Sequence, residues 1–220
     1  VCKLRGHEVT LFEEKELGGL LHEASVPEFK SDIRPLCKYL ITQIEKLGIP
    51  VEHKKATAAD LAGYDAVICA TGSRPILPGV PGIDKPGVMD ALEVLNGARK
   101  PEGRIAVIGG GLVGTETALH LAEQGMHTTL VEMLPKIMNG VAATDQLAYS
   151  ERIAKADMEV CTGTRLVSIG DGEITVSDHT GTHTIPADSV IIAIGLKAQD
   201  SLYGELCAQG KDCLLYTSPS

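Results

Sequence analysis

The chain has 220 residues and a formal net charge of −9 at pH 7, so it can form one large domain or two modest ones around a real core. The acidic balance argues against nucleic acid or an anionic membrane as the main partner, and no apolar run reaches the roughly 18 residues of a membrane span. Five Tyr, two Phe and no Trp leave little aromatic surface on which bases could stack.

In chain order, the first long element is a helix over 31–48, with Ser31 or Asp32 as its N-cap and Gly48 as its stop. A buried strand is expected at 65–70. The Pro- and Gly-rich stretch that follows, 73–87, suits a crossing between domains. Further along, the pattern predicts a strand at 105–108, a helix at 115–124, a strand at 127–131, a helix at 146–155 and short strands at 158–161, 165–169, 173–177, 182–185 and 189–194.

The six cysteines are widely spaced and contain no C-x-x-C pair; they lie at positions 2, 37, 69, 161, 207 and 213. Zinc and iron–sulfur frameworks and a redox dithiol are therefore poorly supported, and a cytoplasmic, reducing setting is the simplest expectation. Cys69 lies in an apolar run and is expected to be a small core residue. His179 and His183 flank a glycine turn without a third ligand, so we expect surface hairpin residues and no metal site.

The segment between the strand at 105–108 and Glu132 is the most informative part of the chain. Gly109, Gly111 and Gly114 have G-x-G-x-x-G spacing, in which the glycines serve a tight turn, the close approach of a pyrophosphate and helix-on-strand packing. The helix that follows offers free N–H groups and a positive dipole end to phosphates. Glu132 ends the next strand, where a carboxylate can accept hydrogen bonds from an adenosine ribose and would repel a 2′-phosphate. The pattern predicts NADH binding, with NADPH less favoured; the alternative is a glycine-rich turn in an unrelated α/β domain.

An internal repeat accounts for the residues before this motif. GHEVTLFE (6–13) aligns with GMHTTLVE (125–132), so that Glu13 falls on Glu132, and DAVICATG (65–72) aligns with DSVIIAIG (188–195). Two matched landmarks in the same order indicate two Rossmann-like units. In the first unit the glycine fingerprint would fall roughly ten residues before Val1. We therefore expect a fragment that lacks the first strand and phosphate loop of that unit.

Two dinucleotide units, the second inserted in the first, resemble the pyridine-nucleotide flavoprotein reductases. In that family the outer unit holds FAD and the inner one NAD(P)H. The segment GHEVTLFEEKELGGLLHEASVPEFKSDIRPLCKYL (6–40) is very similar to the FAD segment of old-yellow-enzyme-type reductases, the 2,4-dienoyl-CoA reductase and enoate reductase group. The resemblance implies a three-layer α/β fold, with a truncated FAD domain at 1–102, an NAD(P)H domain at 103–200 and a return to the FAD domain at 201–220.

In the FAD unit the resemblance implies specific contacts with the cofactor. Glu13 would bind the FAD ribose, and Gly18 and Gly19 would let the backbone approach the cofactor. Thr71 and Gly72 would lie against the flavin nucleotide. The alternatives are a solvated strand-end carboxylate for Glu13 and an ordinary turn at the two adjacent glycines.

In the NAD(P)H unit the resemblance adds two residues to the motif. Glu116 matches an acid that many such reductases place near the nicotinamide end, with an ordinary helix-surface acid as the alternative. Gly195 matches a backbone approach to the cofactor after the last strand. No general acid for substrate is expected on this segment, so we assign no catalytic residue.

The resemblance implies an electron relay from NADH to FAD and on to a barrel-bound FMN that reduces an activated C=C bond. FMN and an iron–sulfur cluster are expected only on an N-terminal part that this chain lacks. A reductase of the glutamate-synthase small-subunit type, or a module that binds NADH without turnover, are the alternatives. The disulfide-reductase branch is disfavoured, because GGLLHEASVPEF carries no cysteine pair. The end of the chain, KDCLLYTSPS, resembles the run-on of an assembled gene fragment, and we assign it no function.

Overall fold

The computed structural model describes residues 1–216 and divides the chain into two compact units. The first unit comprises Val1–Arg74 and the residues from Ala198 onward, and the second comprises Pro75–Lys197. One unit is thus inserted in the sequence of the other, as the repeat predicts. Residues 75–102, which we expected in the first unit, group with the second, because a strand at Val88–Asp90 joins its main sheet.

The described residues contain fourteen strands, six α-helices and two 3₁₀ turns, the turns at Lys3–Arg5 and Glu28–Lys30. The strands are β1 (Leu11–Phe12), β2 (Val51–Glu52), β3 (Ala66–Cys69), β4 (Ser73–Pro75), β5 (Val88–Asp90), β6 (Ile105–Ile108), β7 (Thr128–Val131), β8 (Met158–Cys161), β9 (Arg165–Ile169), β10 (Glu173–Asp178), β11 (Gly181–Pro186), β12 (Ser189–Ile192), β13 (Leu196–Ala198) and β14 (Asp212–Leu215). The helices are α1 (Leu21–Ala24), α2 (Ile33–Lys46), α3 (Ala91–Leu95), α4 (Leu112–Glu123), α5 (Ala143–Ile153) and α6 (Ser201–Ala208).

The second unit is built on a five-stranded parallel sheet in the order β5-β12-β6-β7-β8. Every residue of β6, β7 and β12 is buried, as expected for parallel strands covered on both faces. Alternate residues serve the two faces. Ile105 and Val107 pack with α4, whereas Ala106 and Ile108 pack with the antiparallel sheet β11-β10-β9. The unit therefore has three layers, with the middle strand β6 leading directly into the glycine motif.

Helix α4 starts three residues earlier than the sequence pattern indicates. Gly111 is its N-cap, with extended backbone angles (φ −66°, ψ −176°), and Leu112 is already helical. Gly114 and Glu116 consequently lie inside the helix. The helix ends as predicted before Gly125, whose φ of +82° is the left-handed conformation that glycine adopts readily.

The first unit contains two separate two-stranded parallel sheets, β1–β2 and β3–β14. Cys69 is buried with Leu61 and Leu206 in a small core, which confirms its expected role. The expectation that strand 65–70 is buried throughout is wrong, because Ile68 is 58% exposed. Ala66 and Ile68 are exposed on one face of β3, whereas Cys69 is buried on the other, and a continuous apolar run does not reveal which face of a strand is covered.

The remaining elements complete the two crossings and the end of the chain. Strands β4 and β13, where the chain passes between the units, form a two-stranded sheet. Part of the tail to which we gave no structure forms β14, paired in parallel with β3; residues 217–220 lie outside the described residues. Over positions 1–216, no helix has the length and apolar character needed to cross a membrane.

Candidate dinucleotide-binding site

Two of the three fingerprint glycines are required by the packing of the chain itself. Gly109 has a φ of +109°, and a Cβ there would lie 2.5 Å from the carbonyl oxygen of Ala193. A Cβ at Gly114 would lie 1.8 Å from the carbonyl oxygen of Gly109, so any residue with a side chain would clash there. These two glycines let α4 sit directly on the end of β6.

Gly111 differs from its two partners. Its φ is negative and a Cβ there would meet no atom within 4 Å. Nothing in the chain therefore requires glycine at this position, which faces open space at the start of α4. The first N–H groups of any α-helix lack intrahelical partners, and no side chain caps α4. Its N-terminus combines free donors with the positive end of the helix dipole, the arrangement that binds anions.

Glu132 is buried and holds the glycine loop in place. The residue is 8% exposed, and its carboxylate accepts hydrogen bonds from the backbone N–H of Gly110 at 2.5 Å and of Leu134 at 2.7 Å. The carboxylate thus braces the loop in the free chain, while oxygen lone pairs remain for a ligand hydroxyl. Met133, the next residue, is 61% exposed.

Gly110, which the fingerprint treats as variable, is a site residue that the sequence analysis missed. Its N–H is used by Glu132, and its carbonyl oxygen accepts from the backbone N–H of Met138 at 2.6 Å. A Cβ at this position would lie 2.8 Å from Glu132 Cβ and 2.8 Å from Ile137 Cγ2. The hydroxyl of Thr115 also donates to the carbonyl oxygen of Gly110, at 3.3 Å. The local signal was the uninterrupted Gly-Gly-Gly run, whereas Glu132, Ile137 and Met138 lie more than twenty residues away.

Glu116 is neither on the first turn of the helix nor on its surface, as the sequence suggested it could be. It is 7% exposed, and the hydroxyl of Tyr149 on α5 donates a hydrogen bond to its Oε1. Burial of Tyr149 and, to a smaller extent, this hydrogen bond raise the pKa of the tyrosine well above its usual value. The carboxylate is therefore held in a fixed orientation by a neutral donor, and Tyr149 is a second residue that the sequence analysis missed.

Gly195 follows β12 in a conformation reserved for glycine, with a φ of +132°. Its carbonyl oxygen accepts from the N–H of Ile76 at 3.0 Å. Ala193, two residues earlier, is the residue whose carbonyl lies against Gly109. The structure thus brings the end of β12 and the glycine loop to the same edge of the sheet.

In the first unit, Gly18 is the most constrained of the predicted cofactor residues. Its φ is +125°, and a Cβ there would lie 2.5 Å from His22 Nε2 and 2.7 Å from Cys37 Sγ. His22 Nε2 in turn lies 2.9 Å from the carbonyl oxygen of Leu17. Gly19 has a φ of +52° and open space where a Cβ would be. The pair therefore forms a tight turn before α1, in which both glycines have the left-handed φ that favours glycine and only Gly18 has side chains close to its Cβ position.

The other predicted residues of the first unit lie at strand ends. Glu13 follows β1, and its Oε1 accepts from the backbone N–H of Lys15 at 3.0 Å. The hydroxyl of Thr71 donates to the carbonyl oxygen of Gln199, and the N–H of Gln199 donates to the carbonyl oxygen of Gly72 at 2.9 Å. Gln199 is a further residue that the sequence analysis did not select, because its partners lie more than 120 residues away.

The cysteines offer one contact that spacing did not predict. Cys207 Sγ and Cys213 Sγ are 3.2 Å apart. The hydrogen bond between the two thiols and, to a smaller extent, burial raise the pKa of Cys213 to about 11. Within residues 1–216, no group of three or more His, Cys, Asp or Glu side chains is arranged to hold a metal ion. His183 lies on β11 opposite Val176 of β10.

These features together define a class of protein. A parallel sheet with a glycine loop at the end of its middle strand, inserted in the sequence of a second α/β unit, is the architecture of a protein that binds dinucleotides. The family model for pyridine nucleotide-disulphide oxidoreductases matches residues 5–213, and the chain belongs to this family.

Characterised relatives are considerably longer than this chain. A bilirubin reductase from Mediterraneibacter gnavus is 36% identical over 201 residues, which are 90% of this chain and 31% of the relative. A cinnamate reductase from Clostridium sporogenes is 33% identical over an alignment of 219 positions that covers 94% of this chain and 32% of the relative. The solved structure of a 2-naphthoyl-CoA reductase complex superposes with a TM-score of 0.90 at 29% identity, covering 98% of this chain and 33% of that one. The chain thus spans about a third of each.

Proposed function

We propose that this chain is the FAD- and NADH-binding portion of a cytoplasmic flavin oxidoreductase of the old-yellow-enzyme type. In this proposal the second unit binds NADH and the first binds FAD, to which the hydride passes. An FMN barrel and an iron–sulfur cluster elsewhere in the whole protein take the electrons on to an activated C=C bond of the 2,4-dienoyl-CoA or enoate type. The names of two similar proteins, cinnamate reductase and 2-naphthoyl-CoA reductase, agree with this substrate class.

The observation that carries the proposal is the free space at Gly111. The chain needs its other two fingerprint glycines for its own packing, whereas Gly111 leaves a gap beside the uncapped N-terminus of α4. A ligand whose phosphates approach the backbone closely is the physical reason for glycine there. The residues present therefore fit a dinucleotide pyrophosphate.

When bound, NADH supplies a hydride and FAD accepts it; the protein contributes position and electrostatics. The first-turn N–H groups of α4 would bind the pyrophosphate, and Glu132 would accept from the adenosine ribose while bracing Gly110. Glu116, buried and oriented by Tyr149, would lie towards the nicotinamide end. In the first unit the residues proposed to hold FAD are Glu13, Gly18, Gly19, Thr71 and Gly72, and in the second unit Gly195 would add a backbone contact with NADH.

Substitution of Gly111 tests the proposal directly. Gly111→Ala leaves the free chain without a clash, so its thermal stability should fall only by the difference between glycine and alanine at a helix N-cap, about 1 kcal/mol or less. Affinity for NADH and for ADP-ribose, measured by calorimetric titration, should fall by about tenfold or more, because the Cβ would occupy the space of the pyrophosphate. Gly79→Ala is the matched control, since Gly79 also lies in the second unit with no atom near its Cβ position. Equal affinities for wild type and Gly111→Ala would contradict the proposal.

FAD binding is expected to be weaker than NADH binding in this 220-residue chain. The sequence contains one G-x-G-x-x-G run, and it lies in the second unit. With no second glycine fingerprint in this sequence, the ribose and backbone contacts of the first unit act on the less charged parts of FAD. Purified chain titrated with each cofactor should be colourless and bind NADH. Stoichiometric, tightly held FAD would show that the first unit needs no such loop.

A further inference from the structure

The segment 134–142, which joins β7 to α5 and is here called the strap, packs onto the glycine loop. Its central residue, Met138, is 2% exposed and donates its backbone N–H to the carbonyl oxygen of Gly110 at 2.6 Å. Ile137 fills the space beside the Cα of Gly110, where a Cβ would lie 2.8 Å from Ile137 Cγ2. The strap thus holds the carbonyl side of Gly110 together with the hydroxyl of Thr115, which donates to the same oxygen at 3.3 Å, and Glu132 holds the N–H side.

Met138 adopts a backbone conformation that its side chain disfavours. Its φ is +51°, and among residues 1–216 no other non-glycine residue has a positive φ. An L-residue with a long side chain pays a conformational penalty in this region. Such outliers persist only where surrounding contacts determine them, and they concentrate at ligand sites. The strap therefore needs a restraint outside its own backbone preferences.

Gln146 on α5 provides that restraint. Its amide nitrogen lies 3.2 Å from the carbonyl oxygen of Met138 and 2.8 Å from that of Val141. Both partners can only accept hydrogen bonds, so the amide nitrogen is the donor to each and the orientation of the side chain is settled. The N–H of Val141 also donates to the carbonyl oxygen of Met138 at 3.1 Å, which closes the turn.

Helix α5 itself has little apolar anchorage. None of its residues is buried, and Leu147 is 63% exposed. Its contacts with the rest of the unit include three side chains spaced three residues apart: Gln146 to the strap, Tyr149 to Glu116 and Arg152 to Glu123 at 3.1 Å. This spacing places all three on one face of the helix. Of these three contacts, the one made by Gln146 leads to the glycine loop.

We propose that Gln146 is a positioning residue for dinucleotide binding, which acts by holding the strap, and through it Gly110, in the geometry that receives the pyrophosphate. This inference rests on the proposed function, namely that NADH binds at the glycine loop. The path runs from the Gln146 amide to the Met138 carbonyl, and from the Met138 N–H to the Gly110 carbonyl. Gln146 does not touch the ligand.

The test compares Gln146→Leu, which removes both donors at similar volume, with Arg152→Gln, which removes the contact that the same helix face makes with Glu123 on α4. Gln146→Glu is a second variant that keeps the side-chain length and, at pH 8, lacks the donors. ADP-ribose affinity should fall about tenfold in both Gln146 variants, since two hydrogen bonds are lost, and should stay within about twofold in Arg152→Gln. ADP-ribose is the probe because it carries the pyrophosphate without the nicotinamide.

Amide hydrogen exchange of the free chain, resolved by NMR, separates positioning from general damage. In the Gln146 variants the Met138 N–H should exchange faster, while the core amides of β6 keep their wild-type protection. Unchanged ADP-ribose affinity in Gln146→Leu, or faster exchange throughout the unit, would overturn the inference. If the wild type itself failed to bind ADP-ribose, the proposed function and the positioning role would both be overturned. A wild type that binds, with variants that bind equally well, overturns the positioning role alone.

Discussion

The substitution Glu132→Gln tests whether this carboxylate is a structural brace as well as a ligand residue. One carboxylate oxygen accepts the buried backbone N–H of Gly110 at 2.5 Å, and the other accepts the partly buried N–H of Leu134 at 2.7 Å. Glutamine keeps the shape of the side chain but replaces one acceptor oxygen with an NH₂ group, so one of these N–H groups loses its partner. Hydrogen bonds to a charged group contribute about 1.5–3 kcal/mol, and an unsatisfied buried donor costs about 1–3 kcal/mol. We therefore expect the free energy of unfolding to fall by about 2–4 kcal/mol.

Thermal melting followed by circular dichroism measures this loss. A domain of this size should melt about 4–16 °C lower in Glu132→Gln, at 2–4 °C per kcal/mol. Glu123→Gln is the control: this half-exposed carboxylate on α4 forms an ion pair with Arg152, and such surface pairs contribute at most about 1 kcal/mol. If Glu132→Gln has the melting temperature of the wild type but binds NADH more weakly, Glu132 serves only the ligand. That result would refute the reasoning from its two hydrogen bonds.

Three further predictions follow from exposed or paired side chains. Met133→Arg, at a 61% exposed position beside the ribose-binding carboxylate, should improve NADPH affinity relative to NADH, and an unchanged ratio in titrations would count against the site. Ultraviolet titration of Tyr149 should give a pKa above the usual 10, and this pKa should fall in Glu116→Gln. Because the pKa is raised in the folded state, the contribution of this tyrosine to stability is complete below pH 10 and declines at higher pH. Hydrogen bonds from Arg104 lower the pKa of Asp188 to about 2. Asp188→Asn should therefore destabilise the protein at pH 7 but much less near pH 2, where the wild type has lost this contribution. An equal decrease in melting temperature at both pH values would contradict this prediction.

The sequence predicted the second unit well because its signals are local. The bounds of β6, β8 and β9 agree with the predicted strands, since short apolar or alternating runs between turn residues specify strands independently of the rest of the chain. Helix α3 was missed even though it carries a local signal. Asp90 and Glu93 form a capping box, with Asp90 accepting from the N–H of Glu93 and Glu93 accepting from the N–H of Asp90. The five-residue helix is simply too short for an apolar period to appear.

The braces of the site could not be predicted in the same way. Gly110 depends on Glu132, Glu116 on Tyr149, and the strap on Gln146, and each of these partners lies outside the element or loop that it holds. A hydrogen bond between elements leaves no periodicity in the sequence. The start of α4 was misplaced for a related reason: glycine is disfavoured inside helices, so the pattern excluded Gly114 from the helix. Tertiary packing overrides that preference. A Cβ at position 114 would lie 1.8 Å from the carbonyl oxygen of Gly109, so only glycine fits there.

The fingerprint therefore combines two different requirements that look identical in sequence. Gly109 and Gly114 would be needed in this fold even if no ligand ever bound, because a Cβ at either position would lie too close to a backbone carbonyl oxygen. Gly111 meets no atom, so packing does not require glycine there, whereas a ligand whose phosphates approach the backbone closely does. Gly110 lies between them at a position that the motif leaves variable, yet side chains on two sides exclude a Cβ there. A glycine fingerprint is thus stronger evidence for the strand–loop–helix packing than for the ligand, and the evidence for the ligand resides in the one glycine that the packing does not use.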